Sequence, residues 1–365
     1  MKHGRHENRI MDLRYSRQLA LPGFGADEQA RLAASRVLVI GAGGLGSSVI
    51  PSLAAAGVGT IGIVDDDTVE LSNLHRQLIH GMADVGRSKV ASAVAAVAAL
   101  NPETTVIAVP ERLTAATALE LFADFDLVLD GSDNFVTRYL ASDAATLTGI
   151  PLVWGSVSQY GGQASVAVPG GPGYRDLFPS PPPPGSVLSC EAGGVMPTVV
   201  ALVGSIMSTE AIKLITGIGA PLTGRVTIVD ALTGSFRELS FAKDPTAAPI
   251  TSLIDYETFC GASTADGITP ATLAERTDEF TLLDVREPWE AVLVSLPGST
   301  LIPLGSLSQR LAEIDSSKPV MAYCHHGVRS AGARAILAAA GFDASHLTGG
   351  IDAWAVDLDP AMTRY

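Results

Sequence analysis

Residues 323–330 read YCHHGVRS, placing Cys324 at the head of a short glycine-containing loop and Arg329 near its end, ahead of an alanine-rich stretch. A thiol in that position lies among backbone N–H groups. The N-terminus of a following helix and the Arg329 charge then favour thiolate over thiol. Such an amide cradle suits either phosphate or persulfide chemistry. A loop with five residues between cysteine and arginine has room for a phosphate, whereas this one has four and makes a tighter ring, suited to one terminal sulfur atom. The alternative is a buried, inert cysteine, beside which Gly327 and Arg329 would serve no purpose. His325 and His326 are read as solvated or structural rings.

A second set of residues lies in the first half of the chain. GAGGLG at 41–46 puts Gly41, Gly43 and Gly46 in a G-x-G-x-x-G turn after an apolar run. Amides at a helix N-terminus can there face a phosphate. Asp65 follows about 20 residues on, where a carboxylate accepts hydrogen bonds from ribose hydroxyls, which leaves NAD and ATP equally open. The segments DDDTVELSNLHRQ and VGRSK add Arg76 and Lys89. Two fixed cations stabilise triphosphate oxygens and a departing pyrophosphate, and hydride transfer needs no such pair. DGSDNF sets Asp130 and Asp133 at the end of an expected strand, where a hard carboxylate can hold Mg²⁺. The chemistry these residues predict is nucleotidyl transfer.

Apolar runs predict the parallel strands that must position these groups, at 37–40, 60–64, 126–130 and 151–154, and helices at 45–56, 89–100, 134–148 and around 199–215. The expected fold class is α/β: a Rossmann-like, ATP-binding, mostly parallel sheet domain with helices on both faces, followed by a smaller α/β domain. Residues 241–270 show little periodicity and contain the boundary, near 262. The expected division is a first domain at 1–245, a linker at 246–265 and a second domain at 266–365. SPPPP at 180–184 lacks amide donors at four positions and is expected to be an extended crossing segment.

Composition excludes several classes. The 365 residues are 47% apolar and 17% charged, as in a globular chain, and 24 Lys and Arg against 38 Asp and Glu give a net charge of −14. No basic block could follow a phosphate backbone, so neither nucleic acid nor membrane is an expected partner. Cys190, Cys260 and Cys324 are odd in number and widely spaced, which rules out a disulfide framework and suits a reducing cytoplasm. The N-terminus lacks the apolar core of a signal peptide, and the longest hydrophobic stretch, 195–207, is expected to fall short of a membrane span.

RYSRQL (14–19), GAGGLG, DDDTVELSNLHRQ, VGRSK, DGSDNFVTR and SCEAGGVMP follow one another between residues 11 and 240. In that order they resemble the ThiF/MoeB/HesA superfamily, bacterial relatives of ubiquitin-activating enzymes. The resemblance implies adenylation of the C-terminal Gly-Gly carboxylate of a small ubiquitin-like sulfur-carrier protein, with ATP and Mg²⁺. It implies that Asp65 holds the ribose, Arg76 and Lys89 the phosphates, and Asp133 the Mg²⁺. Gly41, Gly43, Gly44, Gly46, Asn73, Gln77 and Asn134 belong to the same nucleotide-binding set. Arg17 looks like the arginine that members lend to the neighbouring subunit, which implies a homodimer. Cys190 occupies the position where some members form a thiol adduct with the carrier; a small packing residue is the other reading. Many members hold a structural Zn²⁺ with two C-x-x-C pairs. The first falls where this chain reads GYRD (173–176), and residues 241–250 also lack cysteine, so no structural zinc is expected.

TLLDVREPWE (281–290), PGSTLIPL (297–304), YCHHGVRSAGARAILAAAGF and LTGGIDAWA (347–355) resemble a rhodanese domain. By that resemblance Cys324 accepts sulfur as a persulfide, the loop through Arg329 cradles it, and Asp284 and Arg286 support the loop. The usual GHIPGA reads VSLPGS here (294–299), which removes a histidine near the loop. The whole arrangement resembles MoeB-type adenylyltransferases with a fused rhodanese domain. It implies an acyl-adenylate attacked by the Cys324 persulfide, then reductive release of a thiocarboxylate by Cys190 or an external thiol. A cysteine desulfurase or thiosulfate would supply the sulfur. The alternatives are a carrier activator whose rhodanese half serves another acceptor or only docks, a Rossmann oxidoreductase, and a scaffold with an inert sulfur half.

Overall fold

The runs RVLVI and TIGIV form β1 (Arg36–Ile40) and β2 (Thr60–Val64), with the last four residues of each buried. Such burial marks central parallel strands. The computed structural model describes residues 13–182, 193–260 and 267–364. These divide into two compact units, the first within 1–180 and 194–254 and the second within 181–193 and 255–365. The proline segment from residue 183 onward, and Cys190, lie outside the described residues.

The first unit is built on one eight-stranded sheet. Besides β1 and β2 it contains β3 (Thr105–Val109), β4 (Leu127–Asp130), β5 (Leu152–Ser158), β6 (Gly161–Ala167), β7 (Arg225–Asp230) and β8 (Ser235–Ser240). Their order is β3-β2-β1-β4-β5-β6-β7-β8. The first five strands are mutually parallel, and β6 to β8 pair antiparallel. The sheet is therefore mostly parallel as expected, with an antiparallel extension that the glycine-rich and polar strands β6 and β8 did not announce. Chain order reverses between β1 and β4, the switch point at which open α/β sheets bind ligands.

The apolar stretch at 195–207 was expected to fall short of a membrane span, and the structure corrects this. The helix runs Pro197–Thr216, 20 residues with mean hydropathy 1.6, long and apolar enough by length and composition alone to cross a membrane. Its Val199, Val200, Val203, Met207 and Ala211 instead pack in the core of the first unit with Val39, Leu45, Leu129 and Val153. Buried Glu210 on the same helix accepts the Leu222 N–H at 2.8 Å and pairs with Lys213.

A carboxylate holds the GYRD segment. Asp176 Oδ2 accepts the Gly173 N–H at 2.7 Å, and its Oδ1 accepts the Asp244 N–H at 2.8 Å. One side chain thus ties the segment at 173–176 to the segment at 244. Beside it, Arg175 makes a bidentate pair with buried Asp143 at 2.7 and 2.7 Å, and lies over the Tyr139 ring. Tyr174 packs edge-on to Tyr139 and Trp154, which closes the region with aromatic surface. Three cysteines in the chain cannot furnish a four-thiolate site.

The second unit has a parallel sheet ordered β11-β10-β12-β13-β9. Its strands are β9 (Gly267–Ile268), β10 (Thr281–Asp284), β11 (Thr300–Leu301), β12 (Val320–Tyr323) and β13 (Ala344–Leu347). Alternation along β12 fills two cores. Val320, Ala322 and the following Cys324 pack with Leu283, Ala333 and Leu337, while Met321 and Tyr323 pack with Leu282, Leu347 and Ile351.

Asp143→Ala should lower stability by about 3 kcal/mol, because it leaves the Arg175 cation facing a buried gap, and should lower Tm by roughly 6–10 °C. Asp176→Ala should cost about 1 kcal/mol, because the part-buried Gly173 amide loses its acceptor while the exposed Asp244 amide turns to water. Thermal unfolding with and without a zinc chelator checks both points, since the chelator should leave the wild-type transition in place.

Candidate functional site

The turn at 41–46 follows β1 because Gly41 takes φ +91°, a left-handed conformation that side-chain-bearing residues rarely adopt. A Cβ at Gly46 would stand 2.0 Å from the Gly41 carbonyl oxygen, so the helix Gly44–Ala56 is pressed onto the turn and its first amides open toward the switch point. The loop after β4 meets this turn directly: the Gly131 N–H donates to Ile40 O at 2.9 Å. The two stretches read separately as phosphate and metal residues, 41–46 and 130–134, thus adjoin.

Asp65 is wired into the turn. Its Oδ2 accepts the Ala42 N–H at 2.8 Å and its Oδ1 accepts the Asp67 N–H at 2.8 Å. Burial raises its pKa above the ordinary value, while the Lys89 charge and the two amides oppose that shift. Lys89 is buried at the start of the helix Lys89–Leu100, and its Nζ sits 2.7 Å from Asp67 Oδ2. Arg76 is half-buried, donating from Nη1 to Ser72 O at 3.1 Å. Asn73 is buried, and its Oδ1 accepts the Glu70 N–H at 3.2 Å. Gln77 is buried with its Nε2 opposite Gly43, where a Cβ would come within 3.6 Å.

Asp133 and Asn134 are exposed in the loop after β4. Asn134 caps the helix Phe135–Thr148, accepting the Thr137 N–H at 2.9 Å. Arg17 is exposed on the short helix Ser16–Leu19. Among the described residues, Asp65, Asp66 and Asp67 form the acidic group whose oxygens lie within 4.8 Å of one another; Asp133 is not part of it.

Three buried polar atoms lack a partner on the segments that form the crevice: Ser47 Oγ in the first helical turn, Gln77 Oε1 and Ser132 Oγ. A buried polar atom without a hydrogen bond is costly, so these atoms fit a polar guest. The two hydroxyls, the turn amides and the two cations can donate to a nucleoside triphosphate, and Gln77 Oε1 can accept from one of its hydroxyl or amino groups.

Several contributing residues were not singled out in the sequence. His80 is buried, with Nε2 at 2.9 Å from Ala42 O and Nδ1 at 2.8 Å from Ser92 Oγ, so it holds the turn from below. Burial pushes its pKa below the ordinary 6.5. Arg138 Nη2 donates to Ser132 O at 3.2 Å and fixes the loop carrying Asp133. Both lie in quoted motifs or just beyond them, but residue type alone gave no sign of their backbone partners.

In the second unit Cys324 is 1% exposed at the end of β12. The Gly327 N–H donates to its Sγ at 3.1 Å, and Ser330 Oγ lies 3.6 Å away. Gly327, at φ +95°, caps the helix Val328–Ala339. The next helix, Gly350–Asp357, clamps the loop from behind: the Ile351 N–H donates to Cys324 O at 2.8 Å and the Asp352 N–H to His325 O at 3.0 Å. A Cβ on Gly350 would fall 2.1 Å from His325 O, so glycine permits this close approach. Arg329 pairs with Glu290 at 2.5 and 2.7 Å. His325 and His326 stack at 3.8 Å.

Asp284 and Arg286 form a buried pair at 2.6 Å, and Asp284 accepts from Tyr323 Oη at 3.0 Å. Burial and the Asp284 charge push the Tyr323 hydroxyl up to about 12, so it stays a donor. This network holds the strand ends behind the thiol.

Residues 15–249 match the ThiF family and residues 269–357 the rhodanese-like domain. The chain is 51% identical to the probable adenylyltransferase/sulfurtransferase MoeZ of Mycobacterium tuberculosis, over 96% of this chain and 95% of that one. It is 49% identical to a sulfur carrier protein adenylyltransferase of Thermus thermophilus, over 68% of this chain and 96% of that one. It is 40% identical to the adenylyltransferase and sulfurtransferase MOCS3 of Bos taurus, over 96% of this chain and 87% of that one. In fold, the chain is similar to the crystal structure of E. coli MccB with ATP, at TM-score 0.57 and 20% identity, covering 64% of this chain and 73% of that one.

The lowered His80 pKa sets a pH dependence. The unfolded chain takes up the proton first, so the stability that neutral His80 contributes is complete above pH 6.5 and drains away as pH falls through that value toward the folded-state pKa. Urea midpoints at pH 7.5 and 5.5 should therefore differ less in His80→Asn than in wild type. His80→Ala should also raise KM for ATP by about tenfold, as the turn loses its support.

Proposed function

The chain belongs to the ThiF family, and from that premise we propose that it activates a Gly-Gly-ending, ubiquitin-like sulfur carrier with ATP and then delivers sulfur to it from Cys324. It is an adenylyltransferase and a sulfurtransferase, as its named relatives are. The observation that carries the sulfur step is the Gly327 N–H on Cys324 Sγ at 3.1 Å, in a loop clamped by a second helix. An inert core thiol has no need of that support.

In the first step a carrier carboxylate oxygen attacks the α-phosphorus of ATP, and the bond to pyrophosphate breaks. A carboxylate is a poor acyl donor until one of its oxygens becomes part of AMP. Arg76 and Lys89 offset the charge on departing pyrophosphate, the turn at 41–46 directs amides at the phosphates, and Asp65 meets the ribose. Asp133 offers a hard carboxylate to Mg²⁺, which would neutralise phosphate charge.

In the second step the terminal sulfur on Cys324 attacks the acyl carbon and AMP leaves. A thiol, from Cys190 or an external reductant, then attacks Cys324 Sγ and releases the thiocarboxylate, leaving a disulfide on the protein. Joining both steps in one chain raises the effective concentration of each partner for the other.

The proposal includes a homodimer with Arg17 lent to the neighbouring site. Large exposed apolar side chains support it at Leu13 and Leu21, on either side of Arg17, and at Leu71, Leu78 and Met82 in the segment around Arg76. A cysteine desulfurase or thiosulfate supplies the sulfur.

Incubation with Mg-ATP, a persulfide source and a panel of Gly-Gly-ending carriers should add about 16 Da to one or more carriers by intact mass, as sulfur replaces oxygen, and Cys324→Ala should abolish that gain. Pyrophosphate release should survive in Cys324→Ala and fall by about 10²-fold or more in Lys89→Ala and Asp133→Ala. Pyrophosphate release without any mass gain would assign the sulfur half to another acceptor.

A further inference from the structure

Arg329 is the cation that the sulfur loop carries toward Cys324, and its charge is already answered. Its guanidinium meets Glu290 through two parallel bonds, Nη1 to Oε2 at 2.5 Å and Nη2 to Oε1 at 2.7 Å, with the side chains 7% and 4% exposed. Glu290 is fixed in turn, because its Oε2 also accepts the Glu287 N–H at 2.8 Å at the start of the helix Pro288–Leu293. Two other ion pairs lie at the segments that brace the loop: Arg286 with Asp284, and Asp352 of the clamping helix with Arg364 at 2.7 Å. The exposed side chains beside these groups include apolar Val328 at 73%, Trp289 at 59% and Val292 at 86%, and the exposed His326 ring of the loop faces Asp352 at 3.8 Å.

Sulfur donors differ in what they leave behind. Transfer from thiosulfate expels sulfite with two negative charges, which an unpaired guanidinium would hold. Transfer from a persulfide R–S–SH expels a single thiolate. The Cys324 thiolate attacks the outer sulfur, the Sγ–S bond forms as the donor S–S bond breaks, and R–S⁻ departs with that electron pair while the proton stays on the transferred sulfur.

We propose that Glu290 is a positioning residue for donor choice: by holding Arg329 in a neutral pair, it makes the Cys324 loop a receiver of persulfide sulfur and a poor receiver of thiosulfate. The proposal rests on the reading of Cys324 as a sulfur acceptor, and it narrows the two donors named above to one.

The full-length protein is mixed with thiosulfate or with cysteine persulfide, and sulfur loading on Cys324, a gain of about 32 Da located by peptide mass, is followed over time. Wild type should load from thiosulfate at least about tenfold more slowly than from persulfide, and Glu290→Gln should raise the thiosulfate-to-persulfide rate ratio by about tenfold, as one restored charge would. Glutamine keeps the acceptor for the Glu287 N–H, and a purely structural role would slow both donors alike and leave the ratio fixed. A second measurement needs no variant: sulfate should not slow persulfide loading of wild type. Equal loading from the two donors, an unchanged ratio in folded Glu290→Gln, or competition by sulfate overturns the proposal. Loading of Cys324 from neither donor is a distinct result, and it overturns the sulfur-acceptor reading itself.

Discussion

A charge taken out of water must be met by an opposite charge or by several hydrogen bonds, and both units are organised around that constraint. Lys89 meets Asp67, Arg175 meets Asp143, Arg286 meets Asp284 and Arg329 meets Glu290. Each pair fixes a segment that chain connectivity alone would leave loose. Lys89 anchors the start of a helix to the end of β2, Arg175 closes the region where many superfamily members bind zinc, and Arg286 and Arg329 brace the sulfur loop from two sides.

The pairs differ in how readily a ligand can replace one member. Lys89 is 8% exposed but its partner Asp67 is 61% exposed, so the carboxylate can turn to water, and in the proposed role for Lys89 the cation can pass to a phosphate at small cost. Glu290 is 4% exposed, and turning it away would leave a carboxylate uncompensated in the interior. The same kind of contact is thus an exchangeable counter-ion in the nucleotide crevice and a permanent one beside Cys324. This difference suits the proposed chemistries, in which one site grips and releases polyanions while the other handles a polarisable sulfur atom held by amides.

Much of this was legible in the sequence because it depends on local rules. The buried strands at 60–64 and 37–40, the positive-φ glycine of the first turn and the helix beginning at Lys89 follow from periodicity and from steric exclusions acting over a few residues. The antiparallel strands Gly161–Ala167 and Ser235–Ser240 were not legible, because the first is rich in glycine and small residues and the second lies at the sheet edge with mostly exposed side chains, so neither shows an apolar signal. The helix Pro197–Thr216 was legible at about 199–215, but its apolar character was bounded at residue 207 because Glu210 and Lys213 looked like the end of an apolar stretch, whereas Glu210 has partners of its own in the core. At the sites, residue types announced the chemistry but not the pairing. Glu290 stands 39 positions from Arg329 and His80 stands 38 from Ala42, and contacts at such separations are decided by the assembled sheet.

The electrostatics also order the two reactions. An acyl-adenylate is open to water, so its useful lifetime depends on a nucleophile that is charged with sulfur before it forms. The Cys324 loop, with an amide on the thiol, its arginine neutralised and its backbone clamped by a second helix, suits that requirement as the proposed sulfur store because it needs no nucleotide to become competent. The crevice in the other unit has the opposite character. Its buried polar atoms at Ser47, Gln77 and Ser132 have no hydrogen-bond partner among the described residues, so in the proposed reading a bound nucleotide and its waters complete the site. In the proposed cycle, a sulfur loop that needs no nucleotide and an activation site that takes one let the fleeting intermediate be made last.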